Sequence, residues 1–277
     1  MLSSSVNTNV GAMIALQNLN ATNAELGTTQ NRINTGKKVA SAKDNGAIWA
    51  IAQGQRAEIG ALGAVKQSLD RGIASVEVAM AAGETVSDLL LQMKEKALAA
   101  TDASLKTAAR AAMNEDFKAL RDQIASVTSN ANFNGVNLLN AGATGFQALA
   151  NAGGTGSLTV AAEVMALGGA NVTVATTQSI DTLSKATASL TAVNTSIDRV
   201  SASLARLGTK SKALSTHQTF VGKLSDALEA GVGNLVDADL ARESAKLQAL
   251  QTKQQLGVQA LSIANQTPQL VLSLFRG

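Results

Sequence analysis

His217 is the one histidine of the chain, and there is no cysteine and no tyrosine. An imidazole works as a general base or a metal ligand only beside an orienting carboxylate and a nucleophile or further ligands. With no second His and no thiol, a zinc site lacks its donors, so His217 reads as a helix-face residue. Asp237-Ala-Asp239 places two carboxylates on one turn, but no other acid cluster completes a calcium cage. An acid there reads instead as a helix cap. Gly153-Gly-Thr-Gly156 lacks the Lys-Ser/Thr of a phosphate-binding loop and reads as a flexible turn. Trp49, the single tryptophan, follows Asp44-Asn-Gly-Ala-Ile48 at a helix start and reads as a packing anchor. Asn20, Asn171, Asn194 and Asn265 each begin an Asn-x-Ser/Thr triplet, a pattern short enough to recur by chance. These residues compose no catalytic constellation, and no enzyme activity, cofactor or metal is expected.

The elements that carry them are helical. Ala12, Leu16, Leu19, Asn23, Leu26, Gln30 and Ile33 step by four and three, the seam of a coiled coil with polar members. After a break near Gly36 and an irregular stretch from Ser41 to Gly46, a second helix is predicted from Ile48 to Ala100. Its stripe is Ile59, Leu62, Lys66, Leu69, Ile73, Val76, Met80, Gly83, Val86, Leu90 and Met93. A third, from Leu105 to Ser129, carries Met113, Phe117, Leu120, Ile124 and Val127. The short link between them makes the two antiparallel neighbours. Asn132-Phe-Asn-Gly135 is a turn signal. Residues 141–177 are rich in Gly, Ala, Thr and Val, and Phe146–Leu149, Leu158–Val160 and Val172–Thr176 read as short strands. Helix resumes near Ile180 along Leu183, Ala186, Leu190, Val193, Ile197, Val200, Leu204, Leu207, Ser211, Leu214, Gln218 and Val221. It would be roughly 65–75 Å long and interrupted at Gly231 and Gly233. A last helix runs from Asp237 to Leu274.

Composition suits this architecture. Apolar residues make up 45% of the 277, yet only 2% are aromatic. Ala and Leu fill the seams of thin bundles, whereas a compact enzyme core draws on bulky rings. The single proline, Pro268, leaves long helices unbroken. Net charge is only +3, with no basic stripe interleaved with aromatics, so nucleic acid is not an expected partner. No run of about 18 apolar residues exists, so no membrane span is expected. Met1–Val6 has neither the basic nor the apolar region of a cleaved secretory signal.

The sharpest feature is the charge map. Residues 1–24 carry no charged side chain, and neither do residues 254–275. An exposed helix face is normally charged, and a membrane helix would not carry so much Asn and Gln. The remaining environment is crowded protein–protein packing.

The motifs resemble those of bacterial flagellins. Ser5-Val-Asn-Thr-Asn-Val10 and Leu16-Gln-Asn-Leu19 resemble the family's start. Arg32-Ile-Asn-Thr-Gly-Lys37, Ser41-Ala-Lys-Asp-Asn-Gly46, Phe133-Asn-Gly-Val-Asn-Leu138, Leu207-Gly-Thr-Lys210, Asp237-Ala-Asp239 and Gln259-Ala-Leu-Ser-Ile-Ala-Asn265 follow in the family's order. Asp44-Asn-Gly-Ala-Ile-Trp49 is most similar to flagellins of stalked α-proteobacteria such as Caulobacter.

The resemblance implies a mainly α fold: an elongated bundle of long helices with a terminal coiled coil, a small β-hairpin region in the middle, and no large outer domains. It divides the chain into an N-terminal inner-core helix (1–38), the N-terminal half of a helical domain (39–140), a β-rich hairpin region (141–178), the C-terminal half of the helical domain (179–234) and a C-terminal inner-core helix pairing with the first (235–277). Ala12, Leu16, Leu19, Leu26, Ile33, Leu240, Leu247, Leu250, Val258 and Leu261 are then the inner assembly seam. Lys94, Leu98 and Glu115 correspond to the family's face for Toll-like receptor 5, with Lys94 where the family has Arg. The implied function is a structural subunit that self-polymerises, alone or with other flagellins, into the extracellular flagellar filament, the passive propeller of swimming. Export would be unfolded, through the flagellar type III channel, on an uncleaved signal. An export chaperone, the filament cap and hook-junction proteins are the implied partners. The alternative is a hook–filament junction protein of the same superfamily.

Overall fold

The structure, a computed structural model, describes the backbone of residues 8–274 and the side chains of residues 8–266. The uncharged ends and the Ser5–Val10 motif therefore lie partly outside the described residues. In chain order the elements are α1 (Val10–Thr35), α2 (Gly46–Ala100), α3 (Thr107–Asn130), β1 (Phe146–Leu149), β2 (Ser157–Val160), α4 (Leu183–Val236) and α5 (Leu240–Leu274). The mainly α architecture with a small hairpin agrees with the sequence.

Local chemistry sets the element ends. Asn9 caps α1 by accepting the Ala12 N–H at 3.0 Å. Gly36 closes the helix in the left-handed conformation, with φ 68°, which only glycine adopts without cost. Asp44 organises the turn before α2, accepting the N–H groups of Ala40 and Ser41 at 3.0 and 2.8 Å. Asn45 then caps α2 by accepting the Ile48 N–H. Asp239 caps α5 by accepting the Arg242 N–H at 3.1 Å. At Phe133–Val136 the two end residues exchange both backbone bonds at 2.9 Å, and Asn134 and Gly135 have φ 49° and 83°. This is the Asn-Gly two-residue turn of a tight hairpin.

The chain forms two compact units, Met1–Ala57 with Ala227–Gly277, and Glu58–Asp226. In the second unit the core is a heptad seam on each long helix. On α2, Leu62, Val65, Leu69, Val76, Ala79, Val86, Leu90, Met93, Ala97 and Ala100 are buried at steps of three, four and seven. Gly83 occupies one step because the neighbouring helix passes close: a Cβ there would lie 2.8 Å from Leu204 Cδ2. On α4, Ala186, Val193, Val200, Leu207, Leu214 and Val221 recur every seventh residue. The positions between them are Ser189, Ser196 and Ser203, each 0% exposed.

Those serines correct the sequence reading. Leu190, Ile197 and Leu204 were expected on the seam, and Lys66, Ile73 and Met80 on α2. The buried positions are one residue earlier in each case, and Lys66 is exposed. On α2 the four–three count carries its register through Lys66, whereas the buried neighbour is Val65; on α4 the irregular segment 163–180 packs along the helix and is bonded by small residues with hydroxyls. Ser189 Oγ donates to Ser179 O at 2.9 Å and accepts from Gln178 Nε2. Ser196 Oγ accepts the Thr173 N–H at 2.8 Å. Ser203 Oγ accepts from Arg206, which also grips Glu163 through two bonds of 2.8 and 2.6 Å.

Two further expectations fail. Val172–Thr176 is not a strand: only an isolated parallel bridge joins Leu167 and Val172. Thr173 bonds α4 through its N–H and hydroxyl, and Val174 O accepts the Gly168 N–H in a local turn, so no ladder forms. Gly231 and Gly233 do not interrupt α4, which continues to Val236. Two glycines cost about 2 kcal/mol of helix propensity together, and the buried Val232 and Val236 beside them offset that cost. The sheet pairs β1 with β2 antiparallel, Phe146 opposite Val160. Gly145 precedes it with φ 78°, where any Cβ would sit 2.3 Å from Val160 O.

Candidate assembly interface

In the first unit α1 and α5 pack against each other. Their contacts run antiparallel. Asn9 Nδ2 donates to Ala264 O at 2.7 Å, Gln254 Nε2 donates to Asn23 Oδ1 at 2.7 Å, and Arg32 pairs with Glu243 at 3.1 Å. Between these, a Cβ on Gly257 would meet Leu19 Cδ1 at 3.3 Å. The covered positions on α1 are Ala12, Ala15, Leu19, Thr22, Leu26, Thr29 and Ile33. On α5 they are Glu243, Leu247, Leu250, Gln254, Gly257, Leu261 and Ala264. Both sets step by three and four.

Seven of the ten expected seam residues lie on this line: Ala12, Leu19, Leu26, Ile33, Leu247, Leu250 and Leu261. Three do not. Leu16 and Leu240 are 48% exposed and Val258 is 54% exposed. The polar members are also displaced by one, with Thr22 and Thr29 buried in place of Asn23 and Gln30. Gly257 makes room for Leu19, and the smaller Ala15 and Thr22 take the covered positions on either side of it while Leu16 is exposed. The Arg32–Glu243 pair was not foreseen; its signal is that Glu243 and Leu247 are four apart on the seam.

Turned away from the pairing seam, the same helices expose Val10, Met13, Ile14, Leu16, Leu256, Val258 and Ile263. All seven lie in the charge-free stretches. A helix face that meets water is normally charged, and this one is apolar and bare of charge.

The other candidate residues sit in the second unit. Lys94 is exposed and Leu98 is 56% exposed, one turn apart on α2; Glu115 of α3 is exposed and paired with Lys118 at 2.9 Å. Among the described residues no hydrogen bond or ion pair joins the three. His217 Nε2 lies 2.7 Å from Ala150 O and its ring centroid 5.8 Å from that of Phe220. It fastens the end of β1 to α4. Among the described residues no group of three or more His, Asp and Glu is placed to hold a metal ion. None of the described helices is long and apolar enough to cross a membrane.

The chain matches the family models for the bacterial flagellin N-terminal helical region, over residues 6–144, and the bacterial flagellin C-terminal helical region, over residues 190–275. It belongs to the bacterial flagellin family, and it is a structural subunit of a bacterial flagellar filament. It is 58% identical to flagellin FljM of Caulobacter vibrioides over 276 residues, covering 100% of both chains. It is 37% identical to a flagellin of Brucella melitensis, covering 99% of both. The crystal structure of Bacillus cereus flagellin aligns over 56% of this chain and 88% of that one, with TM-score 0.49 and 18% identity. Full-length relatives that are flagellins do not favour the junction-protein reading.

Proposed function

We propose that the α1–α5 pair is the part of this flagellin that neighbouring copies cover in the filament. The reading is carried by the exposed Met13, Ile14, Leu16, Leu256 and Ile263 in stretches without charge. A helix pair with so few ion pairs is marginal alone and gains order when copies bury its outer face. The ten seam residues then divide in role. Those between the helices hold the pair together, while Leu16, Leu240 and Val258 face other copies. The division at 38, 140, 178 and 234 belongs to the same proposal.

The subunit catalyses nothing and works as a passive element of the propeller. It leaves the cell unfolded through the flagellar type III channel, and an export chaperone, the cap and hook-junction proteins are its transient partners. Lys94, Leu98 and Glu115 are the receptor-facing set, supported by their exposure. The test is truncation. Chains lacking residues 1–24 or 254–277 remain soluble and helical by far-UV circular dichroism, yet give no filaments by electron microscopy. Filaments of normal length from both truncations overturn the reading.

A further inference from the structure

Beside α4 the second unit has a groove that the fold itself leaves empty. Leu158 of β2 and Ala213, Thr216, His217 and Phe220 of α4 line it, and its volume is about 520 Å³. Phe220 is 55% exposed. The chain has five phenylalanines, and leaving a ring half in water forfeits its burial. Lys212 stands at this groove and Lys210 at the adjoining hollow, which shares Thr209 with it. Neither lysine is in an ion pair among the described residues. Glu163, which lines the adjoining hollow, is taken by Arg206, Asp70 accepts from Gln218, and His217 is held by Ala150 O. The groove is therefore apolar at its floor and positive at its edge.

An exposed stripe of α2 has the opposite character. Glu77, Glu84, Asp88 and Glu95 are spaced by seven, four and seven, which places them on one side of a helix. All four are exposed, and none takes part in an ion pair among the described residues. Leu91 and Leu98, each three residues beyond an acid of this stripe, share the face and are 52% and 56% exposed. Lys94 flanks it, and Lys96 is neutralised by Asp116 at 2.7 Å.

We propose that the groove beside α4 receives the Glu84–Leu98 face of α2 from a second copy of this chain, with Leu91 or Leu98 against Phe220 and the acids against Lys210 and Lys212. The proposal rests on the filament reading. Charge complementarity selects this occupant over an unrelated apolar segment. The two patches are different surfaces of one chain, so the contact is heterologous: each copy uses its groove on one neighbour and its α2 on another. Such a contact does not close into a dimer and propagates as an open helix. It lies wholly within Glu58–Asp226 and acts alongside the terminal helices.

The experiment is the critical concentration for polymerisation of the full-length chain, with far-UV circular dichroism of each monomer. Reversing the groove lysines (K210E with K212E) or the stripe (E84K with D88K) raises the critical concentration at least about tenfold without changing helicity. Combining the four reversals in one chain restores polymerisation to within about threefold of the parent, because the charges again oppose. Phe220→Ser raises the critical concentration without altering its salt dependence. If either reversed pair polymerises like the parent, or the combined chain shows no rescue, the docking is wrong while the filament reading stands. If the parent itself forms no filament, both fall.

Discussion

Ser196 Oγ accepts the backbone N–H of Thr173 at 2.8 Å while donating to Ala192 O of its own helix at 2.7 Å. One buried hydroxyl thus joins α4 to the irregular strip that would otherwise have no partner for that N–H. The Thr173 hydroxyl reaches the same carbonyl at 2.8 Å, so the two side chains share one acceptor.

Replacing Ser196 by Ala strands the Thr173 N–H, and a buried donor left without a partner costs about 1–3 kcal/mol. Thermal unfolding followed at 222 nm falls by roughly 2–4 °C per kcal/mol for a unit of this size. Ser201→Ala serves as the control, since Ser201 is exposed and its hydroxyl bonds only its own helix, at Ile197 O. A loss at Ser196 no larger than at Ser201 contradicts the tethering role.

Thr29 is predicted to behave in the opposite sense. It is 1% exposed in the α1–α5 seam, and its hydroxyl oxygen has no hydrogen-bond partner. Thr29→Val keeps the shape and removes the unsatisfied group, so the terminal pair gains about 1 kcal/mol. Slower hydrogen exchange of the α1 amides in the monomer reports the gain; faster exchange refutes it.

Asp44 sets an acid limit on the turn between α1 and α2. The Ser41 N–H lowers its carboxyl below the ordinary aspartate value of 3.8, and the Ser41 hydroxyl, the Ala40 N–H and Arg32 act in the same direction. A depressed folded-state pKa favours the fold above the unfolded value and is lost as pH falls through the folded one. The stabilisation is thus complete above about pH 4 and fades below 3.8. An NMR titration of the Asp44 carboxyl gives a midpoint under 3.8. The Asp44→Asn variant loses the acid-dependent change in the Ala40 and Ser41 amide shifts. A midpoint at or above the ordinary value counts against this account.

Helix identity was legible from the residues because near-absence of proline and a sustained three–four rhythm leave a long chain little else to form. The hairpin was legible at Phe146–Leu149 and Leu158–Val160, where apolar alternation falls between glycine-bearing turns. The charge-free ends pointed to assembly because the lack of charge is a property of composition and needs no coordinates.

The phase of each seam was decided only in three dimensions. Leu16 competes with Ala15, Asn23 with Thr22, and Leu190 with Ser189, and in each pair the position one residue earlier is the covered one. Periodicity carries a register set by the leucines through every neighbour, polar ones such as Asn23 included. Packing ranks them by what stands opposite: Gly257 near the α1 seam, and the irregular strip 163–180 against α4, where a hydroxyl satisfies backbone groups that a leucine would leave stranded. The strand expected at Val172–Thr176 failed because Thr173 bonds Ser196 and Ala192 of α4 and Val174 O accepts from Gly168, not from another strand.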